Sequence, residues 1–122
     1  MFKMKKILFL FISLLLLVSC YTTENKIKHS SPSNLIEEET MVLILADVEI
    51  AESALRQMQN TNQEIGTRQE TYYYSIFSKY DVSREQFDSS MAYYKKEPEM
   101  MDRIYEEVIT RLSVIESEIQ ME

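Results

Sequence analysis

Apolar residues fall along this chain in one solid block near the start and then in four periodic stretches. The first stretch places Met41, Ile44, Val48, Ala51, Leu55 and Met58 at alternating spacings of three and four, thickened by Val42 and Leu45. That spacing gives one apolar face of a helix. Asn34 is placed to cap it, with Glu37 three residues on and Glu37-Glu38-Glu39 at the positive helix end. The pattern fades over Asn60–Gly66, which is polar and holds the only glycine. A second helix is expected over Thr67–Tyr80, with Tyr73, Ile76, Phe77 and Tyr80 on one face and Asp81 breaking the pattern. The third start is the clearest. Ser83 and Gln86 match a capping box, and Val82 and Phe87 are placed as a hydrophobic staple. Phe87, Met91 and Tyr94 form its inner face, and Lys95-Lys96 suit its carboxyl end.

Pro98 fits the first turn of a fourth helix, beside Glu99 and Asp102. Met101, Tyr105, Val108, Leu112, Ile115 and Ile119 follow, widened by Ile104 and Ile109. The first and last helices carry matching seams and are expected to pack together, with the two shorter tyrosine-rich helices between them or capping one end. The expected fold is all-α, a small bundle or hairpin of about four helices (two long, two short) over residues 34–122. The same seams could pair between chains, so a structural homo-oligomer stays open.

The solid block lies upstream. Lys3, Lys5 and Lys6 precede an apolar run from Ile7 to Val18, long enough for a secretion signal and short of a membrane-spanning helix. Leu17-Val18-Ser19-Cys20 then resembles the lipobox of bacterial lipoproteins. That resemblance implies a signal peptide over residues 1–19, cleavage before Cys20, and covalent diacylglycerol on its sulfur. The thiolate is the nucleophile that accepts the glyceride, and several acyl chains at one residue anchor a protein stably. Residues 20–33 are then the lipidated cysteine and a polar, aperiodic tether, in which His29 reads as a solvated linker residue. Tyr21 is not the aspartate of an inner-membrane retention signal, and Thr22–Lys26 lacks the acidic cluster of a surface-export signal. The expected location is the outer membrane, facing the periplasm.

Composition narrows the class. One glycine and two prolines argue against a hairpin-rich β fold. The net charge of −7 still includes three leader lysines, so the mature chain is more acidic. Acidic surface repels phosphate backbones, which excludes nucleic acid as an expected partner. With one cysteine there is no internal disulfide. If lipid consumes it, thiol chemistry is excluded as well.

Candidate chemistry is sparse. The single histidine lies in the tether, where no rigid support holds it. The glutamate-rich turns read as solvated faces, and Asp88-Ser89-Ser90 has no glycine elbow to expose a nucleophile. Ser90 reads as a small residue on an inner face. No catalytic residue, metal ligand or cofactor is expected beyond the lipid on Cys20. Asp47 and Glu52 stand out because they flank the first seam, where a carboxylate needs tyrosine or arginine partners. The eight tyrosines suit the boundary between core and water, and also suit binding hot spots. The candidate interaction or ligand surface is therefore Tyr73, Tyr80, Tyr93 and Tyr94 with Asp47 and Glu52.

The stretch from Pro32 to Leu112 resembles a family of small Bacteroidota lipoproteins known as domain of unknown function 4296. The resemblance rests on Leu35-Ile36, Ile44-Leu45-Ala46-Asp47, Ile76-Phe77-Ser78-Lys79-Tyr80, Gln86-Phe87-Asp88-Ser89-Ser90, Tyr93-Tyr94, Pro98 and Ile104-Tyr105. It implies a helical domain in the bacterial envelope and brings no activity with it. The function expected is a non-enzymatic, lipid-anchored module that binds another envelope protein through a Tyr/Met surface or the open side of a seam. A small-ligand or cation-binding protein built on Asp47, Glu52 and the tyrosines is the alternative.

Overall fold

The computed structural model describes residues 1–8 and 28–121. The lipobox Leu17-Val18-Ser19-Cys20 and the first part of the tether lie outside the described residues. Four helices make up the body: α1 (Glu38–Asn60), α2 (Arg68–Lys79), α3 (Arg84–Tyr94) and α4 (Pro98–Gln120). Residues 2–8 are helical as well. The all-α expectation holds, with two long and two short helices in the body. Among the described residues no helix is long and apolar enough to cross a membrane.

Local chemistry sets most of the boundaries. Ser83 Oγ caps α3 by accepting the Gln86 N–H at 3.0 Å. Pro98 occupies the first turn of α4, where its missing N–H costs nothing. Asn62 and Gly66 take positive φ in the α1–α2 link, and Asp81 does so in the α2–α3 turn. Asp and Asn tolerate that region better than most residues.

The start of α1 departs from the sequence reading. Asn34 is not its cap. The helix begins at Glu38; Asn34 ends a turn closed by the Leu35 N–H on the Pro32 carbonyl, and the non-helical segment Asn34-Leu35-Ile36 lies as a strap against α3. Ile36 is buried, so its backbone polar groups need partners. Ser90 Oγ accepts the Ile36 N–H at 2.9 Å, and the Tyr94 hydroxyl donates to the Ile36 carbonyl at 2.6 Å. Gln86 Nε2 donates to the Asn34 carbonyl at 3.1 Å. Residues 86, 90 and 94 are one helical turn apart, so a single face of α3 holds the strap. Gln86 therefore completes only half of the expected capping box.

The tether is also less free than expected. His29 lies half-buried at the bundle. Its ring Nδ1 is 3.0 Å from Glu97 Oε1, and its backbone N–H donates to the same oxygen at 3.4 Å.

α1 is sandwiched. It packs against α2 on one side and α4 on the other. Tyr73 reaches Glu52 and Tyr80 reaches Asp47, so α1 and α2 are antiparallel. Arg103 pairs with Glu38 at 3.0 Å near the start of both helices, while Ile50 and Ile115 line one groove further along. α1 and α4 are thus parallel.

The first and last helices do meet, but not seam to seam. The seam from Ile44 to Met58 lies on the α2 side, flanked by Asp47 and Glu52. α4 meets the opposite side of α1, where Val42, Ala46, Glu49 and Ser53 recur at spacings of four, three and four. The core joins Ile36, Met41, Ile44 and Ala46 to Ile76, Phe77, Tyr94, Ile104 and Val108. Tyr105 and Ile109, read as seam and its margin, are 43% and 64% exposed, and Ile104 takes the interior place instead.

Removing the Tyr94 hydroxyl tests the strap. Tyr94→Phe leaves the buried Ile36 carbonyl without a donor and should cost about 1–3 kcal/mol in urea unfolding followed by circular dichroism. Gln86→Ala breaks an exposed bond and should cost less than about 1 kcal/mol. Equal costs would mean that the strap is not fixed through Ile36.

Candidate functional site

The sequence-derived candidates divide into two groups once placed. Tyr73 and Tyr80 project from α2 to either flank of the α1 seam. The Tyr73 hydroxyl donates to Glu52 Oε1 at 2.7 Å and the Tyr80 hydroxyl to Asp47 Oδ2 at 2.8 Å. Lys79 Nζ adds a 2.8 Å ion pair to the same Asp47 oxygen. These carboxylates clamp α2 onto α1, and each already has a phenol partner within the chain. Burial, then the hydrogen bond it donates to Asp47, raises the Tyr80 phenol above its ordinary value. The Asp47 contact holds Lys79 firmly protonated.

Tyr94 leaves the surface altogether. It is 1% exposed, its ring meets Tyr93 edge-on at 5.6 Å, and its hydroxyl serves the strap. Tyr93 stays half-buried beside it. The six candidates therefore do not converge on one site. Among the described residues no three His, Cys, Asp or Glu side chains group as metal ligands.

Among the described residues, depressions lie on the four-helix body in two places. One lies at the α2–α3 corner, where Tyr73, Tyr74, Phe77, Val82 and Arg84 enclose about 350 Å³. Arg84 occupies part of it, with its guanidinium 5.6 Å from the Tyr73 ring centre and 3.5 Å from Asp88.

The other, about 500 Å³, is a groove between the far halves of α1 and α4. Leu112, Ile115 and Ile119 of α4 form an apolar wall, and Glu49, Ile50 and Ser53 of α1 face them. Glu116 and Gln120 close the rim. Helix length creates this groove. α1 and α4 have 23 residues each, about 35 Å, whereas α3 has 11, about 16 Å. The last fully buried residue of α4 is Val108. Beyond it the apolar stripe continues, but α1 offers Glu49 and Ser53 in place of Val42 and Ala46. Leu112 and Ile115 are left half-buried and Ile119 is 69% exposed.

Sequence reasoning missed this site because it assigned the α4 stripe to the wrong face of α1. The available signal was the second row on α1, apolar at Val42 and Ala46 and polar at Glu49 and Ser53.

The clamp has a pH signature. Burial, then the hydrogen bond to Glu52, pushes the Tyr73 phenol from 10.0 up to about 12. The folded state thus retains this proton more tightly than the unfolded chain does. Its stabilising contribution is whole below pH 10, declines from there, and is gone above about pH 12. Tyr73→Phe should flatten the fall in the urea midpoint across that window. An unchanged slope, with tyrosinate absorbance as the parallel probe, would refute the assignment.

No curated protein and no solved structure matches the chain. A family profile does match, over residues 32–118, from the strap through most of α4. The chain belongs to that family, described as Domain of unknown function (DUF4296).

Proposed function

We propose that the protein is a lipid-anchored, non-enzymatic interaction module of the cell envelope, and that the α1–α4 groove is where it docks another envelope protein. One observation carries the docking reading: an apolar wall of Leu112, Ile115 and Ile119 stands open across from Ile50, which lies exposed between Glu49 and Ser53 on α1. Contiguous apolar surface left uncovered by the fold and rimmed by polar residues is the kind of surface that partner proteins cover. The tyrosine surface is the weaker candidate. Tyr73, Tyr80 and Tyr94 have their hydroxyls engaged inside the chain, and Asp47 and Glu52 are engaged with them.

The anchoring reading rests on the lysine-rich start, the apolar run and the lipobox at Cys20. Its proposed place is the outer membrane on the periplasmic side. The acyl chains supply membrane attachment that an acidic body does not.

Both parts can be tested in cells. Cys20→Ser should abolish processing and release the protein from the membrane fraction. Unchanged fractionation would overturn the anchor. A photoreactive residue at Ile119 should crosslink to an envelope protein identified by mass spectrometry, while one at Glu85, on exposed α3, should not. Equal labelling at both positions, or none at Ile119, would overturn the docking role.

A further inference from the structure

We infer that the occupant of the α1–α4 groove is a basic amphipathic helix of the partner protein, a conclusion that rests on the docking role proposed above. The groove has an apolar floor and acidic edges. Leu112, Ile115 and Ile119 offer an apolar strip about two turns long on α4, while Glu49 and Glu116 put carboxylates along its edges. No lysine or arginine is among the residues that line the groove; Arg56 reaches its α1 edge, donating to Ser53 Oγ at 3.0 Å, against the two carboxylates of Glu49 and Glu116. A matching segment carries apolar side chains at i, i+3 or i+4, and i+7, flanked by Lys or Arg.

Helical form follows from the shape. The groove is a furrow between two parallel helices, which takes a third helix by ridge-and-groove packing. Among the described residues there is no strand whose edge could extend a sheet. Charge also separates this occupant from a second copy of the chain. An isologous pairing would bring Glu49 and Glu116 of one groove towards those of the other, and like charges in contact oppose association. An anionic bilayer is disfavoured for the same reason.

The probes are two synthetic helices with the same leucine stripe, one flanked by lysines and the other by glutamates. Binding is measured to the full mature chain held by its lipid in zwitterionic nanodiscs, with empty nanodiscs subtracted. The leucine–lysine helix should bind saturably and at least about tenfold more tightly than its glutamate twin. Ile119→Lys, at an exposed position, should weaken it about tenfold. Glu49→Gln with Glu116→Gln should weaken it several-fold and flatten its salt dependence, with the helical content unchanged.

Equal binding of the two helices, or binding insensitive to Ile119→Lys, would overturn the inference. So would a dimer in sedimentation that Ile119→Lys disperses, which makes the occupant a second copy. Crosslinks from Ile119 to an acidic partner segment would end this inference and leave the docking role standing. Absence of any crosslink ends the docking role itself.

Discussion

α1 has two neighbours on opposite sides, and its sequence is apolar along the whole of one side but along only half of the other. The open groove follows from that mismatch. On the α2 side the run from Ile44 to Leu55 is continuous, with Asp47 and Glu52 on its margins to receive phenols from α2. On the α4 side Val42 and Ala46 are buried, and then Glu49 and Ser53 take over at the same helical positions. α4 does not change with them. Its apolar stripe continues through Leu112, Ile115 and Ile119. A helix pair in which one partner turns polar while the other stays apolar leaves surface that water covers poorly. Neither short helix extends over it.

The bundle's other end is closed by different means. A non-helical segment cannot be buried beside a helix unless its backbone groups are satisfied, and no sheet is present among the described residues to do it. Side chains substitute for a neighbouring strand here. Ser90 provides an acceptor, Tyr94 and Gln86 provide donors, and the one-turn spacing of these residues matches the strap's path. Ser90 is wholly buried, yet its hydroxyl is partnered, so the polar atom adds orientation without an unmet desolvation cost.

Helix identity and approximate extent were legible in the sequence because they depend on local spacing and caps. Ser83, Pro98 and the glycine at 66 act within a few residues of themselves, and the structure uses each in that way. The errors came from residues whose role depends on something distant. Asn34 has the chemistry of a cap, but Gln86 takes its carbonyl from 52 positions away. Spacing places Tyr94 on the inner face of its helix, as the structure has it, but its place among the candidate surface tyrosines fails because its hydroxyl serves a carbonyl 58 positions earlier. His29 looked solvated because its partner, Glu97, is 68 positions away. Periodicity likewise revealed that α1 and α4 each have an apolar stripe without revealing which sides face each other. α1 has a second, shorter row, and only its three-dimensional placement shows that α4 uses it.

Separation of the two ends gives the proposed anchor and the proposed docking site a common logic. The chain reaches the body through His29 and the strap, both near the starts of α1 and α4. The groove begins around Glu49 and Ile50, about 18 Å along α1 from Glu38. A tether attached to lipid at Cys20 would enter at the strap end, so neither the strap nor its hydrogen bonds needs to open for a helix to occupy the groove. Anchoring and docking then do not compete for the same residues. The side chains that fix the entry point, Ser90, Tyr94 and Gln86, belong to α3, which contributes nothing to the groove lining. In the proposed arrangement, changes in the groove half of α4 would leave untouched the strap end, which carries the buried polar pairs that folding requires.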